Sequence, residues 1–284
     1  MDKENTTKPE ALQEEVILAW VDGLLQENDL TGSSTIRLDE WICAGLVWIK
    51  IAPKSFQTFC QEQLVQSTQR PPAPSDLVLA GLFAQLPEDD LDIFDQLISG
   101  HLLLAEKLDP DETGLLQWPS ADAPYVPAVQ AAWIWASDQL LQWKLSPAQT
   151  EQLIQIKEIL VYETDRQLWD KTHKSYCELP VATPTKARTP ANTALAMLAW
   201  IPDQDRAEDL LFLYRMQAPP WQDKEVAVEE WLGADAYLLY EALKAFEMTQ
   251  AAEELRNYAL RHLPNTSQNA KQAGLLWLWH NIAH

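Results

Sequence analysis

The side chains best placed to do chemistry in this sequence are carboxylates and indoles. Five histidines (His101, His173, His262, His280 and His284) form no convincing metal-ligand pair, and His280 and His284, which come closest, sit at the chain end. Cys43, Cys60 and Cys177 stand far apart without a CxxC. Neither a glycine-rich phosphate loop nor a G-x-S-x-G elbow occurs. The reading is therefore one of no metal and no cofactor. Asp and Glu total 42 and Trp 13, and glycoside chemistry uses both kinds of group. Inverting hydrolysis needs an acid and a base on opposite sides of the scissile bond, roughly 6.5–9.5 Å apart. Indoles stack on sugar C–H faces, or else fill a large helical core and hydrogen-bond through N–H. Trp118, Trp133, Trp135, Trp169, Trp221 and Trp231 fall near helix ends or loops. Read as residues alone, Asp122 is a loop aspartate near a proline, and Glu229 and Glu230 belong to the solvated face of an acid-rich segment.

Such groups need a scaffold, and composition points to helices. The 284 residues are 47% hydrophobic, enough for a sizeable core, and include only 8 glycines. Leu, Ala, Gln and Glu, all good helix formers, dominate. A net charge of −21 repels phosphate backbones and anionic lipid, which argues against nucleic-acid or membrane-surface binding. It is the mark of a solubilising surface, or of a site preferring neutral or cationic ligands. The polar start of the chain, the lack of a bilayer-length apolar run and the sparse cysteines lead to the expectation of a reduced, cytoplasmic protein.

Apolar spacing and breakers divide the chain into about twelve helices. The expected spans are 9–27, 38–51, 54–67, 75–86, 88–107, 128–144, 147–168, 191–199, 203–216, 224–245, 249–261 and 267–282. Residues 1–9 read as a disordered lead-in, and 10–284 as one domain. Ser75 is the expected cap of the fourth helix, and Ser146-Pro147 opens the seventh. No fixed period supports a TPR or HEAT array. Twelve helices paired as hairpins suit an α/α toroid.

Three stretches resemble six-hairpin glycosidases of the trehalase-like and processing-glucosidase-like kind. They are Arg70-Pro-Pro before a helix, Leu108-Asp-Pro-Asp-Glu-Thr-Gly-Leu-Leu-Gln-Trp118, and Leu168-Trp-Asp170 with Ser175-Tyr176, followed by Arg188-Thr189. The resemblance covers about 12–284 and keeps the order of the motifs. It implies an α/α toroid and action on a small carbohydrate or glycoside. Asp122 matches the acid position, and Glu230 stands in for a base beside Trp231, an echo of the family's W-R-G-P-V-W region. Trp118, Tyr125, Trp169, Arg188 and Trp231 then fall to substrate binding. The chain also departs from the pattern. The acid loop is reduced to Pro119-Ser-Ala-Asp122-Ala-Pro-Tyr125, and the link 263–272, where the family's late glutamate would lie, has no carboxylate. The expectation is a toroid acting in sugar binding with weak or silent hydrolysis; the alternative is a helical scaffold for a protein partner.

Overall fold

The computed structural model describes residues 12–30, 37–67, 70–86, 91–109, 111–118, 125–172, 174–177, 190–199, 205, 208–212, 233–262 and 269–281. The fold is all-α, as the composition implies. The helices are α1 Glu14–Leu30, α2 Leu38–Ile51, α3 Pro53–Ser67, α4 Pro74–Phe83, α5 Leu91–Leu108, α6 Pro127–Leu140, α7 Pro147–Leu168, α8 Pro190–Ala199, α9 Ala234–Ala245, α10 Thr249–His262 and α11 Ala270–Asn281. Residues 208–212 are also helical. One antiparallel ribbon, β1 Trp169–Asp170 with β2 Ser175–Tyr176, follows α7 and pairs Trp169 with Tyr176. No described helix is long and apolar enough to cross a membrane. The expected lead-in at 1–9 lies outside the described residues.

Local chemistry sets the starts of α7 and α4 and the turn after α5. Ser146 Oγ accepts from Gln149 N, the Gln149 side chain accepts in turn from Ser146 N, and Pro147 takes the first helical position of α7. The start of α4 differs from expectation. Ser75 lies inside the first turn, buried, and Asp76 does the capping by accepting from Ala73 N at 2.7 Å. Pro74 explains the shift, because its fixed φ and missing N–H suit the first helical position. The turn after α5 is built by Asp109, whose carboxylate accepts from the backbone N–H of Thr113 and Gly114. Gly114 adopts φ +78 there, and a Cβ would meet Glu163 and Ile159 of α7 at under 3 Å.

Burial sorts the helices into two sets. In α2, α4, α6 and α9 most residues are buried; in α3 and α7 only a few are. Four other helices each pack on a deeply buried one earlier in the chain: α3 on α2, α5 on α4, α7 on α6, α10 on α9. The pattern closes on itself, because α1 packs on α11. The buried helices follow suit: α2 touches α4, α4 touches α6, α6 touches α8, α8 touches α9, and both α9 and α11 return to α2. Small residues permit these approaches. A Cβ on Gly45 would overlap Leu82 of α4, and one on Gly81 would come within 2.5 Å of the Ala136 backbone in α6. On Gly274 it would strike the Trp20 ring of α1.

Candidate functional site

Side-chain contacts show that neighbouring buried helices begin at the same end. Gln85, just past α4, hydrogen-bonds Gln139 near the end of α6. The Cys43 thiol in α2 lies 3.7 Å from the carbonyl of Ala234, the first residue of α9. The N-terminal ends of α2, α9 and α11 therefore meet. The first turns of α2 and α9 bring Asp39, Glu40 and Asp235, and α11 adds Lys271. Carboxylates favour helix N-termini, where unpaired backbone N–H groups carry partial positive charge.

The two adjacent carboxylates of α2 sit in opposite environments. Glu40 is 5% exposed. Its Oε1 accepts from Arg37 Nε at 2.9 Å, from the Arg37 terminal nitrogen at 2.6 Å, and from Lys271 Nζ at 2.5 Å. Its Oε2 is buried with no partner. Asp39 is only partly buried, yet burial and the nearby Asp235 and Glu40 charges push its pKa up to about 7. Burial and the surrounding carboxylates also raise the Cys43 thiol. Tyr237 donates to Glu241 Oε1 at 3.2 Å, and burial holds its phenol far above the ordinary range. Deeper in, Trp279 packs edge-on against Tyr237 at 5.7 Å and lies 5.6 Å from Tyr240. The two adjacent side chains are thus unequal: burial and neighbouring charge raise Asp39, while Glu40 is held by two cations. Among the described residues no cluster of His, Cys, Asp and Glu has the makings of a metal site.

Asp122, Arg188, Glu230 and Trp231 lie outside the described residues, as do Trp221 and Glu229. Trp118 is 6% exposed, so its indole is part of the core. Tyr125 is partly buried and bridges Gln117, closing the base of the 117–127 loop. Trp169 is partly buried and meets Tyr176 edge-on at 4.9 Å, while Tyr176 donates to Asp165 at 2.5 Å. Trp133 and Trp135 are buried. Trp133 and Trp143 donate through their indoles to the carbonyls of His101 and Ala84, whereas the N–H groups of Trp20, Trp48 and Trp279 have no partner.

Asp39 and Glu40 were visible in the sequence only as an acidic first turn; Asp235 and Lys271 carried no signal. Their meeting depends on closure between segments about two hundred residues apart, to which a local pattern is blind. No family model matches the chain, and no curated protein matches it.

Proposed function

We propose that the closed cycle of helices is a six-hairpin α/α toroid whose mouth, at the N-terminal ends of α2, α9 and α11, binds a small carbohydrate or glycoside with weak or silent hydrolysis. The observation that carries this reading is the unequal pair Asp39 and Glu40, set beside Asp235 and Lys271 where the helix ends converge. Polar groups of both signs suit a neutral polyol, which needs donors and acceptors. In this reading Asp122 is the acid and Glu230 the residue in place of a base, with Tyr125, Trp169, Arg188 and Trp231 around the sugar. The protein works in the cytoplasm, in keeping with Cys43, Cys60 and Cys177 standing outside any disulfide.

The test is calorimetric titration with trehalose, a maltose-type glycoside and a mannosyl-glycerate-type glycoside. At least one should bind, and Asp39→Asn and Lys271→Ala should each weaken it several-fold. Absence of binding by all three sinks the reading. Turnover within the common enzyme range of about 1–1,000 per second, abolished by Asp122→Asn, would overturn the claim of weak hydrolysis. Glu225, Glu229 and Glu230 would then be examined as the base.

A protein-interaction scaffold is the second reading, favoured by one observation. Helix α7 exposes Ile154, Ile159 and Tyr162, the last at 65%. Under that reading Tyr162→Ser and Ile159→Glu abolish partner capture and leave sugar titrations unchanged.

A further inference from the structure

Helices α1 and α3 both pack on α2, and a groove of about 660 Å³ lies between them. That is within the range of small-molecule sites, roughly 300–1,000 Å³. Each wall is one face of its helix: Leu18, Asp22 and Leu25 recur at helical spacing on α1, and Ser55, Phe59 and Glu62 repeat the same spacing on α3. The lining includes none of the helix-end groups Asp39, Glu40, Asp235 and Lys271, so this is a separate site.

The groove carries a carboxylate on each wall. Asp22 and Glu62 are both exposed, and among the described residues neither has an ion-pair or hydrogen-bond partner. The cation of the lining, Arg70, is already committed. Its two terminal nitrogens donate to Asp76 Oδ2 and Oδ1 at 2.8 and 2.9 Å, and one of them also donates to Gln63 Oε1 at 2.8 Å. A bidentate pair of this kind uses up the guanidinium fork and offsets its charge locally. Among the described residues, the charges of Asp22 and Glu62 are therefore left unmatched.

Beside the carboxylates the surface is aromatic and aliphatic. Phe59 is partly exposed one turn before Glu62, and Trp48 of α2 backs it with ring centroids 5.0 Å apart. Leu18 and Leu25, also partly exposed, stand one turn to either side of Asp22. Asp22, Glu62, Phe59, Leu18 and Leu25 thus all keep surface that a molecule in the groove can touch. An aromatic face attracts a cation, and the leucines can cover methylene groups. A neutral polyol would leave both charges unmet, and the described residues hold no cluster suited to a metal ion. We propose that this groove binds an aliphatic diamine, its two ammonium groups paired with Asp22 and Glu62 and its methylene chain laid over Phe59, Leu18 and Leu25.

The test is calorimetric titration of the full chain in about 0.15 M sodium chloride, where a Debye length of about 8 Å mutes the diffuse field of the acidic surface. Three probes separate the contributions: 1,5-diaminopentane, n-pentylamine with the same body and a single charge, and magnesium with the same charge and no body. The diamine should bind at one site per chain, about two- to five-fold more tightly than pentylamine, the value of one exposed ion pair. Magnesium should bind more weakly than the diamine. Asp22→Asn and Glu62→Gln, both at exposed positions, should keep native circular dichroism, weaken the diamine by about two- to five-fold each and erase its advantage over pentylamine. Glu158→Gln removes the same charge from the exposed face of α7, outside the groove, and should change nothing. The proposal is overturned if the diamine shows no saturable binding, if pentylamine or magnesium binds as tightly, or if Asp22→Asn and Glu62→Gln leave binding intact. Equal losses from Glu158→Gln would overturn it too, since they would mark diffuse attraction to an acidic surface.

Discussion

Two titratable residues give the protein opposing responses to pH. Asp39 has a folded pKa of about 7 against an ordinary carboxyl value of 3.8. The folded state therefore holds more protons between those values, and stability falls as pH rises through them. Asp39→Asn should remove this decline and stabilise the protein at pH 8 by about 1–2 kcal/mol, a value discounted because the side chain is only partly buried. His101 acts the other way. Its folded pKa of about 3 lies below the ordinary imidazole value of 6.5, so the unfolded chain takes up the extra proton. Its stabilising effect is complete above pH 6.5 and is lost on acidification towards 3. Urea unfolding of wild type, Asp39→Asn and His101→Phe from pH 4 to 8 should separate the two slopes. A pH-independent difference between wild type and Asp39→Asn would refute the assignment to Asp39.

The helices meet through small residues and end on short-range caps. Gly81 faces the Ala136 backbone, which cannot give way as a flexible side chain can. Gly81→Ala should therefore cost about 1–3 kcal/mol by overpacking. Gly100→Ala serves as its control, because open space and a helical position should make it neutral or stabilising by up to about 1 kcal/mol. Ser146→Ala should cost about 1 kcal/mol through the lost cap of α7. Thermal or urea denaturation of the three variants settles the order, and equal effects at Gly81 and Gly100 would refute the close approach of α4 to α6. The ribbon after α7 forms because Trp169 and Tyr176 pair across it and Asp170 accepts from Thr172 N at 2.8 Å.

Across the whole molecule, 42 acidic residues oppose 21 basic ones. Self-repulsion of that excess is relieved when salt screens it, the Debye length falling from about 30 Å at 0.01 M to about 3 Å at 1 M. The urea midpoint should thus rise with sodium chloride while the denaturant slope stays constant. A midpoint that falls would mean that attractive ion pairs, such as Glu40 with Arg37 and Lys271, outweigh the repulsion. Closure of the cycle has a second consequence. Helix α11 is packed against α1 and α2, and its Gly274 receives the Trp20 ring. A chain ending at residue 269 should lose near-ultraviolet tryptophan circular dichroism throughout, not only the signals of Trp277 and Trp279. Retention of the remainder would show that the cycle is not cooperative.

The all-α class and most helix spans could be read directly from the sequence, along with the capping of α7 by Ser146 and the turn at Asp109. Each depends on hydrogen bonds and side-chain spacing within a few residues, and such interactions are written in the local sequence. The same locality explains the miss at α4, where Ser75 and Pro74 are rival signals one residue apart. Motif matching drew attention to Asp122, Arg188, Glu230 and Trp231, and to Trp118, whose indole is buried among the helices. An indole beside a loop has the same local signature whether it faces a sugar or a core. Only the tertiary structure decided which helices lie inside, that Glu40 meets Lys271 across 231 residues, and that His101 finds Ser137. Those outcomes follow from packing every apolar face at once, with chain closure bringing remote ends together, and no window of neighbouring residues contains that information.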